Sequence, residues 1–559
     1  MPKLNVVLCW HMHQPEYRDP DTGEFQQPWT YLHAIKDYVE MAAHIEAHPA
    51  ARAVVNFVPI LLEQLEDYQA QINRWRRDRK PMRDRLLAAL ADPASCREPE
   101  ARERILRDCL RANEERLIRP FEPFEGLVTL AREFLEKPER IRYLSDRFVT
   151  DLTMWYHIAW LGETVRRENA QVKAWIAQGR GFTEADRDAM VALIGELIGA
   201  IFSRYRALAE NGQVELSMTP YAHPIMPLLL DINVTREAMP DAALPRATRY
   251  PEGRERVLWH LEHGRKVFER FFGVEPVGCW PSEGAVSEAT VRLLHQAGFV
   301  WAASGDSVLG NSLHRSGMTA PACRHRIYKY DGQDVSLFFR DDGLSDLIGF
   351  NYQSWHADDA IADLVGHLHS IADHCVGDDS VVSIIMDGEN AWEHYPQNGF
   401  WLLDKLYATL SSDPRIELTT YGRVLEAGPK RCKLPRLVAG SWVYGTLSTW
   451  IGDRDKNRGW DLLIEAKKAF DREVAAGRLK GERLDRAIRQ LAICEGSDWF
   501  WWFGDYNPAD AVSDFERLYR LHLARLYHLI DVTVPESLEQ VLSVGGGDPA
   551  LGGVMRKGQ

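Results

Sequence analysis

The stretch Ser-Ile-Ile-Met-Asp-Gly-Glu-Asn at residues 383–390 is the most informative part of this sequence. It continues an apolar, β-prone run that starts at Val381 and ends in an acid-Gly-acid turn, which predicts a buried strand followed by a loop with two carboxylates. In α/β barrels the loops that follow the strand ends converge on one pocket, where catalytic residues lie. A single Asp-Gly turn more often ends a structural strand at solvent. The interpretation therefore depends on whether similar stretches recur.

Three further stretches have the same form, a short apolar run with histidine or carboxylate in it or directly after it. They are Leu4–Cys9 followed by His11 and His13, Val214–Pro220 followed by His223, and Val277–Trp280 followed by Glu283. Other apolar runs lie at 53–59, 299–303 and 335–339, and helical patterns such as 31–48 and 254–272 lie between them. This alternation predicts an α/β barrel or an open parallel sheet, with a site assembled from several strand ends.

The order of patterns along the chain predicts two domains. Alternating strands and helices cover about residues 1–430, which are expected to form the catalytic β/α domain. Two charged helical insertions, about 64–118 and 125–210, are too long for single crossovers and are expected to lie over the barrel mouth. Residues 431–542 are predicted to form a mainly helical domain that contributes to the cleft, and 543–559 to form a flexible tail.

Composition and charge restrict the possible partners. The 559 residues contain 67 Lys+Arg and 81 Asp+Glu, a formal charge of -14, which disfavours nucleic acid and anionic membranes as partners. The sequence shows neither an apolar run long enough to span a bilayer nor a signal peptide, so it predicts a soluble, cytoplasmic protein. Eight scattered cysteines without a CxxC pair predict buried free thiols. The sequence leaves the oligomeric state open.

A cluster of aromatic and acidic residues at 495–505 is the main feature of the C-terminal part. Trp499, Trp501 and Trp502 cannot all lie on one face of a helix, so at least one is expected to be exposed beside the carboxylates. Exposed tryptophan faces stack on the apolar faces of sugar rings. Trp442, Trp450 and Trp460 could extend this platform, and the alternative is a hydrophobic plug at a helix end.

The paired carboxylates favour cleavage of a glycosidic bond, which needs one protonated and one ionised carboxyl group. Glu283 is one of the two, but the residues alone do not decide between Asp387 and Glu389 as the other. Zinc chemistry, as in metal-dependent deacetylases or mannosidases, is the main alternative and would use His11, His13, His223 and Asp387. A glucan-binding protein without catalytic activity is the third possibility.

Five ordered motifs, spread over nearly the whole chain, resemble those of glycoside hydrolase family 57, in the branch of amylopullulanases, α-amylases and 4-α-glucanotransferases. The motifs are His11–Pro15, Gly212–Leu216, Cys279–Glu283, Met386–Asn390 and Gly496–Trp502. The resemblance implies a distorted (β/α)7 barrel followed by a helical domain, and a retaining reaction on α-glucans without a cofactor or a catalytic metal. It implies Glu283 as the nucleophile and Asp387 as the acid/base.

The resemblance and the aromatic cluster together give a set of expected sugar contacts. These residues are His11, His13, Glu215, Trp280, Asp498, Trp499, Trp501 and Trp502. Hydrolysis of α-1,4 and possibly α-1,6 linkages is the predicted activity, and 4-α-glucanotransfer on the same scaffold is the alternative. The sequence leaves open the choice between these two, the linkage preference and the preferred chain length.

Overall fold

Seven parallel strands form a closed ring at the centre of the computed structural model, which describes residues 3–318, 323–375 and 379–547. The strands in chain order are β1 (Leu4–Met12), β2 (Ala53–Phe57), β3 (Val214–Met218), β4 (Gly278–Cys279), β5 (Trp301–Gly305), β6 (Tyr328–Tyr330), β7 (Ser336–Arg340), β8 (Val381–Asp387), β9 (Ile416–Thr419) and β10 (Cys432–Leu434). The ring runs β1-β2-β3-β4-β5-β7-β8, and β8 pairs with β1 to close it. This confirms the predicted distorted seven-stranded barrel.

Helices fill the connections between the strands. Before β2 lie Trp29–His33 and Val39–Ala47; between β2 and β3 lie Pro59–Asp78, Arg85–Ala91, Pro99–Cys109, Glu122–Glu136, Asp146–Trp160, Glu163–Glu168, Ala170–Gln178 and Glu184–Glu210. Between β3 and β10 lie Met226–Leu230, Thr235–Ala238, Gly253–Phe272, Glu288–Gln296, Asp306–Arg315, Asp342–Asp346, Ala357–His374, Phe400–Ser412 and Tyr421–Glu426. In the described ranges no helix is both long and apolar enough to cross a bilayer.

All seven ring strands coincide with apolar runs of the sequence, whereas three strands outside the ring are not predicted. The three are β6, β9 and β10, each only three or four residues long. β6 pairs antiparallel with β7, β10 extends β6, and β9 pairs with the first half of β1. Such short strands carry too few alternating residues for a detectable period.

The chain after the ring is mainly helical. Its helices are Arg454–Ala475, Gly481–Cys494, Asp498–Trp502 and Ala509–Ile530. Strand β10, which lies beyond the expected boundary at 430, still belongs to the sheet. Within the segment expected to be a tail, Ser543, Gly546 and Gly547 are hydrogen-bonded to residues 504–507. Residues 548–559 of that segment lie outside the described residues.

Two cysteines depart from the prediction of free thiols. Cys323 and Cys375 form a disulfide, with Cα atoms 5.2 Å apart. The helix Ala357–His374 ends beside the segment that leads into β6, so residues 52 positions apart become neighbours. No local motif encodes this long-range proximity. The other six cysteines are free, and five of them are buried.

A buried charge cluster joins the C-terminal helices to the barrel. Glu495, directly after the helix Gly481–Cys494, accepts hydrogen bonds from Arg256 Nη2 (2.8 Å), His260 Nε2 (2.7 Å) and the Tyr250 hydroxyl. Arg256 and His260 belong to the helix Gly253–Phe272. Burial alone would raise the pKa of Glu495, but these partners outweigh it and lower the pKa to about 2. The carboxylate therefore stays ionised and fully hydrogen-bonded inside the protein.

We expect Glu495→Gln to lower the free energy of unfolding by about 3–5 kcal/mol, because the substitution leaves the buried Arg256 without its counter-ion. The pKa of Glu495 is lowered in the folded state, so its stabilisation is present above pH 4.5 and is lost as pH falls towards 2. Thermal unfolding between pH 3 and 8 measures this. The matched control is Glu417→Gln, which breaks an exposed pair with Lys3 and should cost at most about 1 kcal/mol. Equal losses in the two variants would contradict a special role for Glu495.

Candidate active site

A cavity of about 540 Å³ opens at the carboxyl ends of the ring strands. Its walls come from the ends of β1, β7 and β8, from the loop after β4 and from the C-terminal helices, as expected for a barrel site. Seven of the ten predicted site residues line it: His11, His13, Glu283, Asp387, Asp498, Trp501 and Trp502. The structure therefore brings together residues that are up to 491 positions apart, since 502 − 11 = 491.

Asp387 is the last residue of β8 and lies opposite His11 of β1 in the strand register. The next residue, Gly388, donates its N–H to the His11 carbonyl at 2.7 Å, and a Cβ there would lie 2.2 Å from the Met12 sulfur. Only glycine fits this close approach, and it fixes the carboxylate at the cavity floor. Burial raises the pKa of Asp387 to about 6, against the lowering effect of a 3.0 Å hydrogen bond from Asn390.

Glu389 also lines the cavity but is held in a polar socket. Its Oε1 accepts the His13 backbone N–H and the Gln14 amide, both at 3.1 Å, and lies 3.4 Å from the Tyr38 hydroxyl. Its Oε2 is buried and has no hydrogen-bond partner among the described residues. Burial first, and the nearby Asp387 carboxylate second, raise the pKa of Glu389 well above its usual range. Both effects favour the protonated form of Glu389 beside Asp387.

Glu283 stands on an unusual backbone turn after the two-residue strand β4. Its φ is 58°, in the left-handed region that few non-glycine residues adopt. Two hydrogen bonds hold the turn against Trp442: the Trp442 N–H donates to the Glu283 carbonyl at 3.1 Å, and the indole Nε1–H donates to Oε2 at 2.8 Å. The carboxylate is 14% exposed. The strained turn directs it into the cavity instead of into the core.

Two buried histidines form a chain of hydrogen bonds that fixes their tautomers. Asn56 donates its amide to the Ser217 hydroxyl at 3.0 Å, so its carbonyl oxygen accepts from His11 Nδ1 at 2.8 Å. His11 Nε2 is then the acceptor from His223 Nε2 at 3.2 Å, and His223 Nδ1 accepts from the Ser497 hydroxyl at 2.7 Å. Burial lowers the pKa of His11 to about 3 and that of His223 well below its usual value. Both rings are therefore neutral.

His13 connects the barrel to the C-terminal segment. Its Nε2 lies 2.7 Å from Asp498 Oδ1, and its ring stacks on that of His223, with centroids 3.9 Å apart. Asp498 begins the short helix Asp498–Trp502, and the preceding Ser497 donates its N–H to the His223 carbonyl at 2.9 Å. The start of this helix is thus held by one contact to each of the two stacked histidines, Asp498 to His13 and Ser497 to His223.

Beside the cavity, the described part of the chain has one group of residues that comes close to metal-ligand spacing: His13 and Asp498, which line the cavity, and the buried His223, with ligand atoms within 4.8 Å of one another. The two imidazole planes are only 18° from parallel and stack face to face. Imidazole binds a metal in its ring plane, so stacked rings direct their lone pairs along parallel planes and not to one point. The arrangement therefore suits hydrogen bonding better than the zinc site considered from the sequence, and Asp387 is not part of it.

Three predicted sugar contacts do not line the cavity. Glu215 lies near the start of β3, at the opposite end of the barrel, where it accepts hydrogen bonds from Trp301 Nε1 (2.6 Å) and the Gly422 N–H (2.7 Å). Trp280 is fully buried behind the wall, 5.2 Å from the Trp442 ring. Trp499 lies about 100° around its helix from Asp498 and packs in the core, donating to the Ile493 carbonyl at 2.8 Å.

The aromatic platform is also smaller than expected. Trp450 and Trp460 are buried in the core, whereas Trp442 lines the cavity together with Trp502 and Phe515. The rings of Trp502 and Phe515 stack, with centroids 4.9 Å apart. Part of the cluster is therefore buried as a hydrophobic plug, which was the alternative interpretation of the sequence, and only the rest faces the cavity.

Arg340 is a cavity residue that the sequence reasoning missed. It ends β7 and lines the cavity, with Nε donating to the Ile385 carbonyl at 2.8 Å and its other nitrogens paired with Asp342 and Asp346. The signal was available, because a charged residue follows the apolar run 335–339 just as carboxylates or histidines follow the other runs. Phe515 had no such signal, since it belongs to the long amphipathic helix Ala509–Ile530.

The ring of parallel strands, with carboxylates and imidazoles gathered at its carboxyl end, is the layout of a (β/α)-barrel enzyme. The chain belongs to glycosyl hydrolase family 57: the model of that family matches residues 7–435. This confirms the resemblance seen in the motifs. The match ends within one residue of the last sheet strand, β10.

Solved structures of similar fold span nearly the whole chain. A branching enzyme from Pyrococcus horikoshii has a TM-score of 0.57 at 15% identity and covers 98% of this chain and 99% of its own. An α-amylase from Thermotoga maritima has a TM-score of 0.56 at 14% identity, covering 95% and 93%. A 4-α-glucanotransferase from Thermococcus litoralis has a TM-score of 0.52 at 14% identity, covering 94% and 60%. At these identities the likeness concerns the fold alone.

We expect Asp387→Asn to be more stable than the unmodified protein at pH 8 but not at pH 4. The pKa of Asp387 is raised in the folded state, so the carboxyl favours folding below its unfolded pKa and this benefit is lost as pH rises through about 6. The asparagine variant has no such loss. At pH 8 its free energy of unfolding should therefore exceed that of the unmodified protein by at most about 3 kcal/mol. Thermal unfolding at both pH values measures it. Asp485→Asn, at an exposed position, is the control, and a pH-independent difference for Asp387→Asn would contradict the raised pKa.

Proposed function

We propose that this protein is a retaining enzyme that cleaves α-glucans, with Glu283 as the nucleophile and Asp387 as the general acid and base. The observation that carries the proposal is that both carboxyl groups line one cavity and that burial raises the pKa of Asp387 to about 6. A glycosidase needs one carboxyl group that is protonated near neutral pH and one that is ionised. Membership of glycosyl hydrolase family 57 supports an α-glucan as the substrate.

The proposed first step transfers the glycosyl unit to Glu283. The ionised Glu283 oxygen attacks the anomeric carbon while Asp387 gives its proton to the departing glycosidic oxygen. The Trp442 indole N–H, 2.8 Å from Glu283 Oε2, holds the carboxylate in position for the attack. In the second step Asp387, now ionised, takes a proton from the acceptor, which attacks the anomeric carbon and releases Glu283.

The polar walls are proposed to bind the hydroxyl groups of the sugar that is cleaved. His13 and Asp498 face the cavity as a hydrogen-bonded pair, and His11 adds a neutral ring behind them. Both nitrogens of the His11 ring are already bonded, to Asn56 and His223, and the neutral ring adds no charge beside the catalytic carboxylates. Asp498 comes from the C-terminal segment, so this segment is proposed to complete the site.

Transfer of the glycosyl unit to another glucan is the second candidate function. The observation that favours it is the apolar part of the wall, where Trp502 and Phe515 stack on each other and Trp29 also lines the cavity. Such a surface fits the apolar face of an acceptor sugar. Amylase, 4-α-glucanotransferase and branching enzyme structures have similar TM-scores to this fold. The fold alone therefore does not indicate whether water or another glucan is the acceptor.

We expect Glu283→Gln to reduce kcat on maltooligosaccharides by a factor on the order of 10⁴ or more, because the amide cannot form the covalent intermediate. Steady-state kinetics on maltoheptaose measures the loss. The matched control is Glu288→Gln, which removes a carboxylate five positions away that does not line the cavity. Substantial turnover by Glu283→Gln, with an unchanged fold by circular dichroism, would refute the assignment of the nucleophile.

The products from pure maltoheptaose, incubated with EDTA, distinguish the candidate activities. Shorter sugars alone are expected from hydrolysis, and a ladder that includes longer sugars is expected from transfer. Retention predicts that the first product released carries the α-anomer, which proton NMR detects before mutarotation. A first product with the β-anomer would contradict the covalent mechanism. Activity that is lost in EDTA and restored by zinc would favour the metal chemistry instead.

A further inference from the structure

A cluster of sulfur and nitrogen atoms lies outside the active-site cavity, beside the start of β6. It consists of Cys323, His325 and Cys375, whose ligand atoms all lie within 4.8 Å of one another. The two sulfurs are joined as a disulfide. The cysteines are buried and His325 is partly buried, so the cluster is a defined pocket of side chains and not a chance surface contact.

His325 is oriented by a carboxylate on its far side. Its Nε2 lies 2.8 Å from Asp341 Oδ2, and Asp341 Oδ1 accepts the Leu344 N–H at 2.8 Å. Because Nε2 donates its hydrogen to Asp341, the neutral ring has its lone pair on Nδ1. This lone pair faces Cys375 Sγ at 3.9 Å, and a disulfide sulfur has no hydrogen to donate to it. The Asp–His arrangement is the one that positions histidine ligands in metal sites.

The donor set has the character that zinc prefers. Two cysteine thiolates and one imidazole match the Cys₂His part of tetrahedral zinc sites, with bonds of about 2.3 Å to sulfur and 2.0 Å to nitrogen. Ligand atoms in a tetrahedral site are separated by about 3.5–3.8 Å. Cys375 Sγ and His325 Nδ1 are 3.9 Å apart, whereas the two sulfurs, bonded to each other in the disulfide, must move apart on reduction. The buried Ser380 hydroxyl lies 3.8 Å from Cys323 Sγ, so the cluster also has a polar neighbour.

We propose that Cys323, Cys375 and His325 form a zinc site when the disulfide between the two cysteines is reduced. A dithiol reductant supplies two electrons, the S–S bond breaks, and the reductant leaves as its own disulfide. Zn²⁺ then binds both sulfurs as thiolates and displaces two protons, while His325 Nδ1 provides the third ligand. The segment before β6 and the end of the helix Ala357–His374 are thus joined either by the disulfide or by the metal ion.

The experiment compares zinc binding by the oxidised and the dithiol-reduced protein, after removal of the reductant under anaerobic conditions. We expect one Zn²⁺ per chain in the reduced form and none at this site in the oxidised form, measured by competition with a chromogenic chelator. Co²⁺ in place of Zn²⁺ should give thiolate-to-cobalt charge-transfer absorption. This signature separates the site from the His13–His223–Asp498 group, which contains no sulfur.

Variants provide the controls. Cys323→Ser with Cys375→Ser should abolish both the charge-transfer band and the stoichiometric zinc, whereas Cys432→Ser, at a half-buried free thiol, should leave both unchanged. Asp341→Asn keeps the three ligands and should weaken zinc binding by about 10–100-fold. A reduced protein without the thiolate–cobalt band, or a double cysteine variant that keeps it, would overturn the proposal. Circular dichroism and activity on maltoheptaose verify that each variant is folded.

Discussion

The site depends first on the pairing of β1 with β8, because this pairing sets His11 opposite Asp387. Both strands are buried almost along their whole length, so their register is fixed by the core. A slip of one residue would turn the Asp387 side chain away from the cavity. Gly388 maintains the closest point of this contact, where a side chain would collide with Met12. The carboxyl end of β1 also pairs with β2, which brings Asn56 under the ring of His11.

The second requirement is that the C-terminal helices dock on the barrel with a defined position. Glu495 provides this by joining its helix end to Arg256 and His260 through buried, charge-assisted hydrogen bonds. Residues directly after it then reach the site: Ser497 contacts His223 and Asp498 contacts His13. Burying the charges offsets much of their attraction, so the net stability that the pair contributes is smaller than the cost of removing one partner.

Sequence reasoning predicted the ring and most of the cavity because both follow from local patterns. Each ring strand is an apolar run, and the chemistry is carried by residues at its end, as with His11 and Asp387. It failed where the position of a residue along its strand, or around its helix, decides whether the side chain faces the cavity. Glu215 belongs to a correctly predicted strand but lies near its first residue, and Trp499 follows Asp498 but faces the core. The disulfide between Cys323 and Cys375 and the contribution of Phe515 need tertiary proximity, which a single sequence does not contain.

The electrostatics of the cavity depend on which of the titratable groups at its wall are ionised. Burial keeps His11 and His223 neutral, and it raises the pKa of Glu389 well above its usual range, which favours the protonated form. Asp387, at about 6, is balanced between its two forms near neutral pH. A group that must give up a proton in one step and take it back in the next works best in such a balance. The neutral neighbours help to keep it there, because an ionised Glu389 two residues away would raise the pKa of Asp387 and an ionised His11 would lower it. Gln14 and the His13 backbone N–H act in the opposite direction, because donors to a carboxylate lower its pKa, so burial is the main cause of the raised pKa of Glu389.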